Sequence, residues 1–391
     1  MSSLEKNIPK LYWIKALRWF MLMMPIIVLF FQENGLSMSE VMLLQALFAI
    51  SVVIFEVPSG YLADVIGRKK SIVWGCIIGT LGFSVYSFSY GFYGFLIAEV
   101  LMGLGSSFIS GADSALIYES LVAQKKEKNY KKIEGRYQAI GNISEAAAGI
   151  IGGLLALISL RTPIYVEALF TIPAIFIALS LVEPKRIEKQ VKENVFKNLM
   201  SIVKFSLHDH KEIKWLIFYG GFITAGGISS AWFIQPWLQT NGLPPGWFGL
   251  VWAALMGSAA WFAIKSDAFE KRFGRKNSLI AIPFLGLIGY VAMGFFTTLW
   301  AIGFLFLFQA ARGLSNPVLK DYVNVLVPPH MRATVLSIKN LIGRLAFSII
   351  APILGYISDT FSMNTALYTA GITFFTLSMI SVLFLKLYKK L

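Results

Sequence analysis

Ionisable side chains interrupt long apolar runs at Arg18, Glu56, Glu99, Asp113, Glu145, Arg312 and Arg344. An ionised group at membrane depth costs about 2.5–3.5 kcal/mol on insertion scales, so each should face a cavity or a partner. A carboxylate desolvated in such a place can take up and release a proton near neutral pH. The acids lie in the first half of the chain and Arg312 and Arg344 in the second. Two readings stand side by side: proton carriage, or static ion pairs across a cavity, whose desolvation cost offsets much of their attraction. Arg18 has a blander reading, as a side chain that snorkels to the inner interface. Asp113, between Gly111 and Ser114, can equally make a helix–helix hydrogen bond. Glu167 is placed near the outer surface and set aside.

The elements that must hold these groups are membrane helices. Of 391 residues, 56% are hydrophobic and only 14% charged, with a mean hydropathy of +0.66. Soluble domains carry about 25% charged residues. At about 20 apolar residues per span, the chain accommodates roughly twelve. The spans read at about 11–31, 41–63, 71–89, 93–118, 137–158, 164–182, 213–238, 247–264, 278–296, 300–319, 336–357 and 365–385. Trp13, Trp215, Trp237, Trp247 and Trp300 fall near span ends, as an interfacial belt requires. The first residues lack the layout of a cleaved signal, so the first helix is expected to remain as a span. The single cysteine, Cys76, excludes an intrachain disulfide.

The formal net charge of +14 is a topology signal. Alternate loops collect Lys6 and Lys10, Arg68 to Lys70, the Lys125–Lys132 cluster with Arg136, the basic 185–214 segment, Lys271 to Lys276, Arg332 and Lys389-Lys390. The opposite loops hold Arg161 as their basic residue, with Glu33, Glu40 and Asp359 as acids. The positive-inside rule then places both termini in the cytoplasm, and a nucleic-acid partner is not needed to explain the charge. Residues 183–212 form the long polar stretch between two sets of six spans. Val195, Phe196, Leu199, Ile202 and Val203 recur there at near-helical spacing, which predicts an amphipathic helix on the inner membrane surface.

The loop after span two reads Gly60-Tyr-Leu-Ala-Asp64-Val-Ile-Gly67-Arg68-Lys69-Lys70. Gly60 permits close helix approach and Gly67 a tight turn. The halves echo each other: Asp64, Gly67 and Arg68 match Glu270, Gly274 and Arg275, Gly103-Leu-Gly105 matches Gly313-Leu-Ser315, and Gly135-Arg136 matches Met331-Arg332. Parallel repeats of this kind are a transporter feature. The loop resembles the G-x-x-x-D-x-x-G-R-R/K motif between the second and third spans of major facilitator superfamily transporters, and the resemblance extends over nearly the whole chain.

That resemblance implies an all-α integral membrane fold of 12 transmembrane helices in two pseudo-symmetric six-helix bundles, at 1–182 and 213–391, with 183–212 as the cytoplasmic linker. It implies alternating access by rocking of the halves. It also implies a gate in which Asp64 meets the N-terminal end of span eleven and Arg68 pairs with an acid at the inner end of span four, which the spacing puts at Glu119. Proton-coupled drug exporters of the superfamily have an arginine where this chain has Glu99. Their glycine-proline motif in span five is broken here by Ser144, Ala148 and Gly149.

The expected function is secondary transport of a small organic solute, coupled to protons, with a lean to efflux. Uptake of a nutrient or metabolite is the alternative within the class; a lipid flippase or a non-transporting sensor is the alternative outside it. No G-x4-G-K-[ST] loop occurs, so ATP is not the direct energy source. His208, His210 and His330 lack ligand spacing. The chain is therefore read as a non-enzyme without cofactor or metal, a monomer in the cell membrane.

Overall fold

In lipid every backbone polar group must be satisfied internally, and among the described residues the chain answers with helices alone. The structure is a computed structural model, and it describes residues 4–184, 195–328 and 331–388. Spans two, three, six, seven, eleven and twelve are the helices Met38–Ile66, Arg68–Phe88, Thr162–Leu179, Lys211–Thr240, Arg332–Thr360 and Met363–Tyr388. Spans five and ten are Tyr130–Leu155 and Ile302–Leu326.

Length and hydropathy alone pick out 8 candidate spans among the described residues. The difference from twelve has physical causes. Phe248–Phe295, 48 residues and far longer than one crossing needs, is two helices that meet at Gly274, whose φ of 75° and ψ of 161° are not helical, so spans eight and nine count as one. Spans five and ten are too polar to qualify. Span one is not continuous: it is helical over Asn7–Arg18 and Ile27–Glu33 and irregular between. Span four also divides, into Gly91–Ile109 and Ala112–Ala123, with Gly111 at φ 79° between them.

The chain clusters into two units, Met1–Leu36 with Leu47–Glu188 and Pro244–Ala253, and Ser37–Ala46 with Lys189–Leu243 and Ala254–Leu391. The first unit packs Leu11, Ile14, Ile72, Leu116 and Ile117 into its core. Arg161 ties three of its loops together at one end of the spans, donating to the Ser87 and Ser89 carbonyls at 2.8 and 3.0 Å and to Asn34 Oδ1 at 2.6 Å. The second unit packs Leu216, Tyr219, Leu279, Val318, Leu319 and Leu385. Within it the Asp359 carboxylate accepts the Met38 and Ser39 amides at 3.0 and 2.7 Å, capping the start of span two. Large side chains such as Trp74, Phe88, Leu169 and Ile349 stay exposed, as lipid-facing positions should.

Two expectations are corrected. Trp237 is not an interfacial anchor; it is 1% exposed and donates its indole N–H to the Met293 carbonyl at 2.8 Å. The linker helix Val195–Lys204 does not leave its whole apolar face to the membrane. Ile202 is buried against Ile213, Val323 and Val335, with Val203 and Phe205 packed beside it. Residues 185–194 of the linker, His330 and Lys389-Lys390 lie outside the described residues.

Candidate functional site

The loop between spans two and three is built around Gly67, whose φ of 108° lets helix Met38–Ile66 end and helix Arg68–Phe88 begin within one residue. The new helix presents unpaired amides, and Glu183, at the end of span six, fills them. Its carboxylate accepts the Arg68 and Lys69 N–H groups at 2.8 and 2.7 Å. Arg68 in turn bonds Asp64, and its Nε lies 3.5 Å from Glu119 Oε1. The loop thus brings Asp64, Arg68 and Glu119 together. Gly60 behaves differently from expectation: a Cβ there would meet nothing within 4 Å, so close packing is not its role in this conformation.

The second unit builds the corresponding corner with other chemistry. Gly274 makes the turn, but Glu270 and Arg275 are joined through Tyr322. The Tyr322 hydroxyl donates to Glu270 at 2.5 Å, and the Arg275 guanidinium stacks on its ring at 3.9 Å. Arg275 also approaches Glu212 at 3.7 Å.

Inside the first unit, Glu99 is 4% exposed and accepts the Tyr86 hydroxyl at 2.5 Å. Tyr86 is fully buried among Phe31 and Phe95. Glu167, set aside on the sequence, is buried: it is 1% exposed and accepts the Met23 amide at 2.9 Å. That amide is free because span one is unwound there, so the carboxylate and the break account for each other. Gly152 clears the space, since a Cβ there would come within 1.9 Å of the Leu22 carbonyl oxygen.

A second polar group joins spans one, four and five. The Tyr137 hydroxyl donates to Asp113 at 2.6 Å, and Ser114 donates to Glu134 at 3.0 Å. Lys15, 7% exposed, places its ammonium over the rings of Trp19 and Tyr137 at 4.0 and 4.9 Å. The charges that bear on it are Asp113, Glu134, Arg18 and Glu145. Arg18 does not snorkel; it donates to the Gly75 carbonyl at 3.0 Å. Tyr137 thus joins Asp113 to Lys15, and Glu99 lies apart, with Tyr86. Glu56 is exposed and makes no ion pair among the described residues.

In the second unit Arg312 is exposed and its Nη1 lies 3.8 Å from Met256 Sδ. Arg344 is half-buried, and its carbonyl accepts the Ser348 hydroxyl. Helix Arg332–Thr360 carries a further cation, Lys339, which is 7% exposed and bonds Asn316 Oδ1 at 3.3 Å.

The sequence alone did not single out Lys15, Glu134, Tyr137, Tyr86, Lys339, Glu183 or Tyr322, and Glu167 was set aside. Lys15, Glu167 and Lys339 satisfied the same criterion as the others, an ionisable group within an apolar run. The tyrosines had no such signal, because a tyrosine in a span reads as packing until its partner is known.

The sequence matches the family model described as "Major Facilitator Superfamily" over residues 11–351. The chain belongs to that superfamily. A stretch of 166 residues is 28% identical to the quinolone resistance protein NorA of Staphylococcus aureus, covering 42% of each chain. The chain thus spans less than half the length of that relative. An MFS-type transporter of Bacillus subtilis (strain 168), YxaM, described as uncharacterized, is 24% identical over 353 residues, 87% of this chain and 86% of its own. In fold, the chain superposes on the nucleoside transporter NupG with a TM-score of 0.79 at 14% identity, covering 100% of both chains. A bacterial homologue of the lysosomal transporter Spinster, inward-facing and occupied, gives 0.75 at 15% identity, covering 98% of this chain and 96% of that one. The chain is a multi-span transporter of the superfamily, and no feature of the family or fold indicates catalysis.

Proposed function

We propose that the protein exports a small organic solute by alternating access, with protons as the coupling ion. The observation that carries this reading is Glu99: a carboxylate 4% exposed at membrane depth, held by a tyrosine hydroxyl in an aromatic wall. Desolvation makes its charge state responsive to its surroundings, which is what a coupling site needs. Asp113, held by Tyr137 beside Lys15, is the second proton-pathway group, with Glu145 nearby and Glu56 at the exposed edge. Export is favoured by the stretch shared with a quinolone resistance protein.

The bundles 1–182 and 213–391 are the rocking bodies, in the cell membrane with both termini cytoplasmic, and the protein works as a monomer. Arg68 with Asp64 and Glu119 forms one inner latch, and Arg275, paired with Glu212 and stacked on the Tyr322 that bonds Glu270, forms the other. Partly exposed ion pairs are worth about 0–1 kcal/mol each, small enough to break in every cycle. Solute-evoked pH change inside proteoliposomes tests the coupling, with wild type and Glu99→Gln side by side. Proton flux that the substitution abolishes supports the reading. Solute movement without proton flux, unchanged by the substitution, overturns it.

A further inference from the structure

Every ionisable acid-or-base side chain other than tyrosine in spans seven to twelve is a cation. Lys214, Arg312, Lys339 and Arg344 lie within those bounds, and no aspartate or glutamate does. Lys214 sits at the inner end of its span, where a basic residue is ordinary. Arg312 and Lys339 are not so placed. Asn316 follows Arg312 by one helical turn, on the same face of helix Ile302–Leu326, and its side-chain oxygen accepts from the Lys339 ammonium at 3.3 Å. Asn316 is therefore one helical turn from Arg312 along its helix and in hydrogen-bond contact with Lys339.

Neither cation has a carboxylate within ion-pair distance among the described residues. Lys339 is 7% exposed, and Gly220 makes its room: a Cβ there would lie 2.8 Å from Lys339 Cδ. The Arg312 guanidinium meets a thioether, a weak acceptor, and borders a small cavity of about 30 Å³ lined by Phe222, Tyr290, Phe308 and Phe374. A cation at membrane depth without a counter-ion marks a binding position by default.

We propose that Arg312 and Lys339, linked by Asn316, bind a compact oxyanion, a carboxylate or a phosphate, carried by the transported solute. The solute is then an organic anion whose apolar body rests on the adjoining aromatic wall. The guanidinium supplies a planar fork for two oxygens and the ammonium a point charge. This assignment rests on the transporter reading above and adds the substrate class to it.

Titration of the purified chain in nanodiscs of neutral phosphatidylcholine with 2-naphthoate, 2-naphthamide and 2-naphthylmethylamine tests it. Wild type should bind the carboxylate at least tenfold more tightly than the amide, and the amine most weakly. Arg312→Gln and Lys339→Gln should each remove the carboxylate preference and leave amide binding within twofold, while Arg312→Lys keeps part of it. Equal binding of the three probes by wild type, or preference for the amine, overturns the proposal without reference to any variant. Discs containing phosphatidylglycerol separate solute from lipid: loss of naphthoate binding there would assign the site to an anionic lipid head group and overturn its assignment to the solute. In proteoliposomes, solute flux without preference for anions would sink this site and leave the transporter reading standing. Anion binding that Arg312→Gln abolishes, with no flux of any solute, would do the reverse.

Discussion

Glu183 is expected to hold the loop between spans two and three through the start of helix Arg68–Phe88. Its half-buried carboxylate accepts two backbone amides, at 2.8 and 2.7 Å. Fully buried hydrogen bonds to a charged group contribute about 1.5–3 kcal/mol each. This site is only half-buried and resembles an N-cap, for which removal of the acceptor costs about 0.5–2 kcal/mol. Glu183→Ala should therefore weaken local closure by about 1–2 kcal/mol, a factor of roughly 5–30 in the open population. Hydrogen exchange in nanodiscs reads this at the Arg68 and Lys69 amides, which should exchange faster by that factor, with span interiors unchanged. Glu183→Gln, which keeps one good acceptor oxygen, should show a smaller acceleration. Exchange at both amides within twofold of wild type in Glu183→Ala would refute the capping role.

Gly152→Ala should lower the melting temperature sharply or prevent folding, because its Cβ would lie 1.9 Å from the Leu22 carbonyl oxygen and overpacking costs about 1–3 kcal/mol or more. Gly60→Ala, with open space at the same atom, should stay within about 0.5 kcal/mol of wild type in the same thermal assay. Tyr322→Phe removes the donor to Glu270 and keeps the ring under Arg275, so it should destabilise the second unit's corresponding corner by about 1.5–3 kcal/mol at most. An unchanged exchange rate around Glu270 and Arg275 would show that the hydroxyl contributes little.

What the sequence made legible was what depends on local composition. Apolar runs specify spans residue by residue, without reference to the fold. The loop from Gly60 to Lys70 was legible for the same reason, since its turn needs a glycine at Gly67 and its charges lie within a few residues of one another. The break in span one was hidden, because the carboxylate that satisfies the freed Met23 amide is Glu167, 144 residues away. The surroundings of Lys15 were hidden for a similar reason: the rings over which it sits, and Gly141, whose missing side chain admits its Cε, come from another helix or another turn. Glu183 and Tyr322 act only on groups that folding brings to them.

The most direct test of the account is uphill transport in proteoliposomes that contain no nucleotide. With a pH gradient imposed across the membrane, a solute of the transported class should accumulate against its own gradient, and a protonophore should collapse that accumulation. Equilibration without accumulation, or accumulation indifferent to the protonophore, would contradict proton-coupled transport.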